Sequence, residues 1–169
     1  SYGYLAGTHA RDKDAVVASM LICEMAAYYK SQGKTLIDVT NGLYDEFGYY
    51  CNTVQSYTFE GAAGMEKMAA IMDGLRDNKP SSFAGYEVTK IDDYKTSKST
   101  IVKTGEESEI TLPKSNVLAY TLTNGNKVIV RPSGTEPKIK AYITAIGQSE
   151  ENAKEIAQRL LNDANELMK

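Results

Sequence analysis

The chain has 169 residues, of which 42% are hydrophobic and 24% charged, and a formal net charge of −3. Those fractions describe a water-facing globular protein of one domain or two small ones, and the negative balance argues against a general polyanion binder, so nucleic acid is not an expected partner. No apolar run reaches the ~20 residues that span a bilayer, so no membrane partner is expected either.

Residues 1 to 11 read as loop, with Gly3, Gly7, Thr8 and His9 favouring turns. A helix is predicted from near Asp12 to about Ser31, ending at Gly33. Val16, Met20, Cys23 and Ala27 make one apolar stripe, and Val17, Leu21 and Tyr28 a second beside it. So wide a face predicts a helix largely buried in a bigger structure. Thr35 to Gly48 gives a second helix, with Leu36, Val39, Leu43 and Phe47 at helical spacing. Tyr49 to Phe59 reads as extended. Gly61 to Arg76 is a third helix, whose stripe of Met65, Met68, Met72 and Leu75 suits core packing. Asn78 to Ser82 is a break.

Beyond the break the pattern changes to four strands: Tyr86 to Ile91, Val117 to Thr123, Lys127 to Arg131, and Lys138 to Ala145. Lys95 to Glu109 is polar and reads as a long loop with room for a short strand at Ser99 to Val102. Asn124-Gly125-Asn126 joins the second and third of the four as a hairpin. Ser149 caps a last helix whose buried stripe runs from Ala153 to Leu167. The expected fold class is α+β: a C-terminal four-stranded antiparallel sheet with helices on one face, preceded by a helical remnant of an α/β domain. The expected organisation is 1–59, a linker region at 60–84, and 85–169. Cys23 and Cys51 read as buried free thiols of a reducing compartment, hence cytoplasmic. One histidine and no Cys-x-x-Cys argue against structural zinc. The start at Ser1 rather than Met points to a fragment, a processed protein or a tag remnant.

The chemistry concentrates in Arg131-Pro132-Ser133-Gly134-Thr135-Glu136-Pro137-Lys138, between two strands. Arg offers a two-pronged donor, Ser133 and Thr135 offer hydroxyls, and Gly134 lets backbone N–H groups approach an anion. On composition alone, a phosphate site and an ordinary turn are equally good readings. The order of residues resembles the phosphate-binding loop in the last domain of the α-D-phosphohexomutases, the phosphoglucomutase and phosphomannomutase superfamily. That loop reads Arg-x-Ser-Gly-Thr-Glu-Pro. The start of the chain agrees: Ser1-Tyr2-Gly3-Tyr4-Leu5 and His9-Ala10-Arg11-Asp12-Lys13-Asp14 resemble the sugar-recognition region of the third domain. There Glu-Glu-Ser-x-Gly precedes His-x-Arg-x-Lys-Asp, and the two glutamates have no counterpart here. The spacing is similar to that of the glucose-type branch, the phosphoglucomutases and related phosphopentomutases. The resemblance spans the whole chain, as the end of the third domain (1–59), a helix and linker (60–84) and the fourth domain (85–169).

The resemblance implies an intramolecular phosphotransferase that interconverts sugar 1- and 6-phosphates through a bisphosphate such as glucose 1,6-bisphosphate. It implies Mg²⁺ in the full-length enzyme, with ligands outside this chain, and N-terminal domains as partners that supply the phosphoserine. The piece by itself is expected to be inactive. Arg131, Ser133, Gly134 and Thr135 match the loop that holds the phosphate not being transferred. Lys138 is either a phosphate contact or an exposed strand-edge lysine. Ser1 matches a sugar-hydroxyl contact, with a disordered terminus as the alternative. His9 and Arg11 lie where phosphate or sugar would be met, though a loop histidine is commonly a surface residue. Lys13 matches a lysine implicated in proton transfer, and from its own surroundings reads as a solvated lysine at a helix start. A free-standing anion-binding or interaction module is the non-enzymatic alternative, and the exposed helix face of an isolated piece is expected to self-associate.

Overall fold

A computed structural model of the chain describes residues 5–61, 63–134 and 136–168. They fall into two compact units that divide between Phe47 and Gly48.

The first unit holds helices α1 (Ala15–Ser31) and α2 (Leu36–Phe47). Asp14 caps α1 by accepting from the backbone N–H groups of Val16 and Val17 at 2.9 and 3.1 Å, satisfying donors that the first turn leaves open. Past the other end, Gly33 takes a positive φ of 72°, a conformation glycine adopts without a Cβ penalty. Thr35 and Asp38 cap α2 reciprocally: the Asp38 N–H donates to Thr35 Oγ1 at 3.2 Å, and the Thr35 N–H donates to Asp38 Oδ2 at 2.8 Å. The Thr35 hydroxyl, donating to the same Oδ2 at 2.6 Å, and then the Thr35 N–H hold the Asp38 carboxyl below its ordinary range. No residue of either helix is buried. The buried face expected of α1 is instead open along Val16, Met20, Ile22, Met25 and Tyr28, and Cys23, expected to be buried, is exposed. The physical reason is the lack of a second layer, since two helices cannot close a face this wide.

The second unit is built on an antiparallel sheet of β1 (Tyr49–Thr58), β2 (Ser82–Phe83), β3 (Tyr86–Asp93), β4 (Lys98–Ile101), β5 (Glu107–Glu109), β6 (Leu118–Leu122), β7 (Lys127–Pro132) and β8 (Lys138–Gly147). The order is β1-β8-β7-β6-β3-β4-β5, with β2 pairing to β3 outside that path. The α+β class holds, with helices α3 (Ala63–Asp77) and α4 (Glu150–Leu167) packed on the sheet core. The sheet is wider than the four strands expected. β1 zips along all ten residues of β8, from Tyr49 opposite Gly147 to Thr58 opposite Lys138, and Cys51 and Tyr57 pack against the core. α3 buries Met68, Met72 and Leu75 in that core. β1 and α3 thus belong to the same compact unit as the strands that follow them.

Period-two burial makes the core. Ile139, Ala141, Ile143 and Ala145 of β8, Val128 and Val130 of β7, and Leu118, Tyr120 and Leu122 of β6 are all buried on the helix-covered face. α4 meets them with Ala153, Ile156, Ala157, Leu160 and Ala164. Ser149 Oγ caps α4 by accepting from the Asn152 N–H at 3.2 Å. Gly147 is required where β8 passes this helix, because a Cβ there would lie 2.4 Å from the Ala153 nitrogen. The hairpin between β6 and β7 turns through Asn124 and Gly125, both at positive φ, as the Asn-Gly signal predicts. Asn126 follows, fully buried, and its Oδ1 accepts from the Ile146 N–H at 2.8 Å. That bond fixes the hairpin to β8 and so sets the register of the strands that carry the loop.

Candidate phosphate-binding site

β7 and β8 pair from Lys127 opposite Thr144 to Pro132 opposite Ile139. The loop between them is closed at its base by the backbone. The Ser133 N–H donates to the Lys138 carbonyl at 2.7 Å, and the Lys138 N–H donates to the Glu136 carbonyl at 2.7 Å. Inside, the Glu136 N–H donates to Ser133 Oγ at 3.3 Å. From outside, the Phe59 N–H donates to the Pro137 carbonyl at 2.9 Å, so the end of β1 backs the loop. A loop tied at this many points loses little conformational entropy when it takes up a ligand.

Arg131, Ser133 and Gly134 line a cavity of about 420 Å³ whose other walls are Met65 and Met68 of α3 and Ser115 and Asn116 ahead of β6. That volume suits a small ligand. The lining combines Arg131, Ser133 and Gly134 with two methionines of the helix. Lys138 is half-buried and pairs with Glu136 Oε2 at 3.3 Å. Thr135 and Ser1, both singled out in the sequence, lie outside the described residues.

The remaining residues singled out in the sequence belong to the first unit, at the start of α1. His9 Nε2 lies 3.0 Å from Asp14 Oδ2, and this contact, with the cap N–H groups, holds the Asp14 carboxyl below its ordinary range. Lys13 Nζ lies 2.5 Å from Asp12 Oδ1, which also accepts from the Lys13 N–H at 2.7 Å. The same lysine lowers the Asp12 pKa. Arg11 is exposed. Both His9 and Lys13 thus face carboxylates of their own loop.

Sequence reasoning did not single out Ser115, Asn116 or Arg76. Arg76 of α3 donates from Nε to Asp93 Oδ2 at 3.2 Å and from Nη2 to Asn116 Oδ1 at 2.6 Å. It thereby ties α3 and β3 to the turn that forms the cavity wall. A signal was available: counting outward from the Asn124-Gly125 turn places residues just ahead of β6 beside those just after β7. Among the described residues, no group of three or more His, Cys, Asp or Glu side chains is placed to hold a metal ion, and no helix is long and apolar enough to cross a membrane.

Comparison with known proteins places this geometry in a family. Residues 65–162 match the family model for the phosphoglucomutase/phosphomannomutase C-terminal domain. A phosphoglucomutase of Staphylococcus haemolyticus is 38% identical over 162 residues, covering 96% of this chain and 29% of that protein. A phosphoglucomutase of Staphylococcus aureus is 42% identical over 144 residues, covering 85% of this chain and 26% of that protein. The open form of parafusin, a phosphoglucomutase from Paramecium, superposes with a TM-score of 0.58 at 18% identity, over 95% of this chain and 28% of that one. The chain spans less than a third of the length of the curated relatives it matches. By the family model that covers β2 to β8, the loop and most of α4, the chain belongs to the phosphoglucomutase/phosphomannomutase family, of which it carries the C-terminal domain.

Proposed function

We propose that this chain is the C-terminal part of a phosphoglucomutase-like enzyme that interconverts sugar 1- and 6-phosphates through a bisphosphate, and that its own task is to hold the phosphate that is not being transferred. The observation that carries this reading is the tied loop at Arg131 to Lys138, with Arg131, Ser133 and Gly134 opening onto one cavity. A guanidinium binds a phosphate dianion with two parallel hydrogen bonds, and the hydroxyl of Ser133 adds a third polar group beside it. Thr135 completes the set by resemblance.

Phosphoryl transfer depends on positioning and on neutralising charge. In the whole enzyme a phosphoserine donates its phosphoryl group to a sugar hydroxyl, and that hydroxyl's proton passes to a base. Lys13 is the residue that the resemblance assigns to proton transfer, with Ser1, His9 and Arg11 toward the sugar. Mg²⁺, which neutralises charge on the transferring group, is supplied with the phosphoserine by domains outside this chain. The isolated chain therefore binds without catalysing, and the enzyme works in the cytoplasm on a phosphosugar. The bisphosphate intermediate carries a phosphate at each end, so a loop that grips either phosphate serves both half-reactions.

Calorimetry with glucose 1,6-bisphosphate tests the reading. The wild-type chain binds, and Arg131→Ala weakens binding by about tenfold or more, the scale of one charged hydrogen-bonding partner. Equal affinity of the two would overturn it.

A further inference from the structure

The cavity wall opposite the loop has no role in the reading above. β6 and β7 pair with Leu118 opposite Val130, so the residues entering β6 run beside those leaving β7. The turn ahead of β6 is held in place: the Ser115 N–H donates to the Tyr94 carbonyl at 3.2 Å, and the Tyr94 N–H donates to the Val117 carbonyl at 3.1 Å. Asn116 on this turn lines the same cavity as Arg131, Ser133 and Gly134.

The orientation of the Asn116 amide follows from its partner. Arg76 Nη2 lies 2.6 Å from Asn116 Oδ1, and a guanidinium only donates. The amide oxygen is thus committed to Arg76, and the NH₂ end is the donor. Arg76 is itself fixed, with Nε on Asp93 and Nη1 donating to the Met72 carbonyl at 3.3 Å, and its side chain is 13% exposed.

We infer that Asn116 is a further phosphate-binding residue, donating its Nδ2–H to the phosphate that Arg131 holds, with Arg76 and Asp93 as positioning residues behind it. The inference rests on the loop's being a phosphate site, and it adds a second wall. The ligand class is a phosphate monoester, whose charged end meets Arg131 and Asn116 while its carbon skeleton meets the Met65 and Met68 side.

Two Asn116 variants separate binding from a purely structural role. Asn116→Ala removes both ends of the amide. Asn116→Asp keeps an acceptor for Arg76 but replaces the donor with a negative charge. In calorimetry of the 169-residue chain with glucose 1,6-bisphosphate, Asn116→Ala is expected to weaken binding about tenfold, and Asn116→Asp to weaken it further. Arg76→Lys weakens binding by the wild-type chain but adds no further loss to Asn116→Ala, because its effect passes through that amide. Asn116→Asp binding at least as tightly as Asn116→Ala, or Asn116→Ala binding like wild type, overturns the inference. If Arg131→Ala still weakens binding in that case, the loop reading stands. An Arg131→Ala variant with unchanged affinity removes both.

Discussion

Arg76 and Asp93 show how a few side chains set the geometry around the cavity. Both are largely buried, at 13% and 15% exposure, whereas Asp73, which approaches the same guanidinium at 3.6 Å, is 60% exposed. Removing one partner of a buried pair strands a charge, while an exposed pair is screened by water. Asp93→Ala should therefore cost about 3 kcal/mol and Asp73→Ala less than about 1 kcal/mol, read from urea midpoints. Asp14 gives a pH signature. Hydrogen bonding to His9 and to the Val17 and Val16 N–H groups lowers its carboxyl pKa from an ordinary 3.8. The charged form is thus favoured in the folded state, and the stability it lends α1 is complete above the ordinary value. That contribution is lost as the pH falls through the lowered one. Acid titration followed by helical circular dichroism should show this loss, and Asp14→Asn, which caps without titrating, should lack it. The loop residues were legible in the sequence because a contiguous run carries them. Asn116 was not, because strand register brings it to the cavity from 15 positions before Arg131, and Arg76 was not, because it reaches Asn116 from helix α3, 40 positions away.

At the scale of elements, the join between β8 and α4 is the most sensitive point. Gly147 sits where any Cβ would meet the backbone of Ala153, so Gly147→Ala forces the strand and helix apart and should cost about 1–3 kcal/mol. Ser149→Ala, which removes the cap of α4, should cost about 1 kcal/mol. Thermal or urea unfolding of the two variants tests the order. Helix positions could be read in advance, since caps and 3.6-residue spacing are local: Ser149 before α4, and Thr35 with Asp38 at α2. Most strands could be read for the same reason. β5, Glu107-Ser108-Glu109, could not, because all three residues are exposed and carry no apolar alternation. The partner of β1 was equally hidden. Its own pattern says extended, and nothing in it names a strand some eighty positions away.

For the whole molecule, the main asymmetry is between a sheet unit with a closed core and a helical unit with none. Val16 is 80% exposed and Met20 59%, on a helix with no buried residue. A continuous apolar face of this kind favours association. The isolated chain should show a mass above that of one copy by light scattering, and Val16→Glu with Met20→Lys should restore the single-copy mass. A monodisperse monomer of the unsubstituted chain would count against this expectation.

The pairing of β1 with β8 also orders events in time. Tyr49–Thr58 leaves the ribosome about eighty residues before Lys138–Gly147 begins to follow. At about 5–20 residues per second, the strand waits on the order of 4–16 s for β8, the only sheet neighbour it has among the described residues. During that interval its backbone N–H and C=O groups and its Tyr and Val side chains face solvent unpaired, which is when a nascent edge strand is open to wrong partners. The loop between β7 and β8, backed by the residue that follows β1, can reach its final shape only after this late ladder has closed.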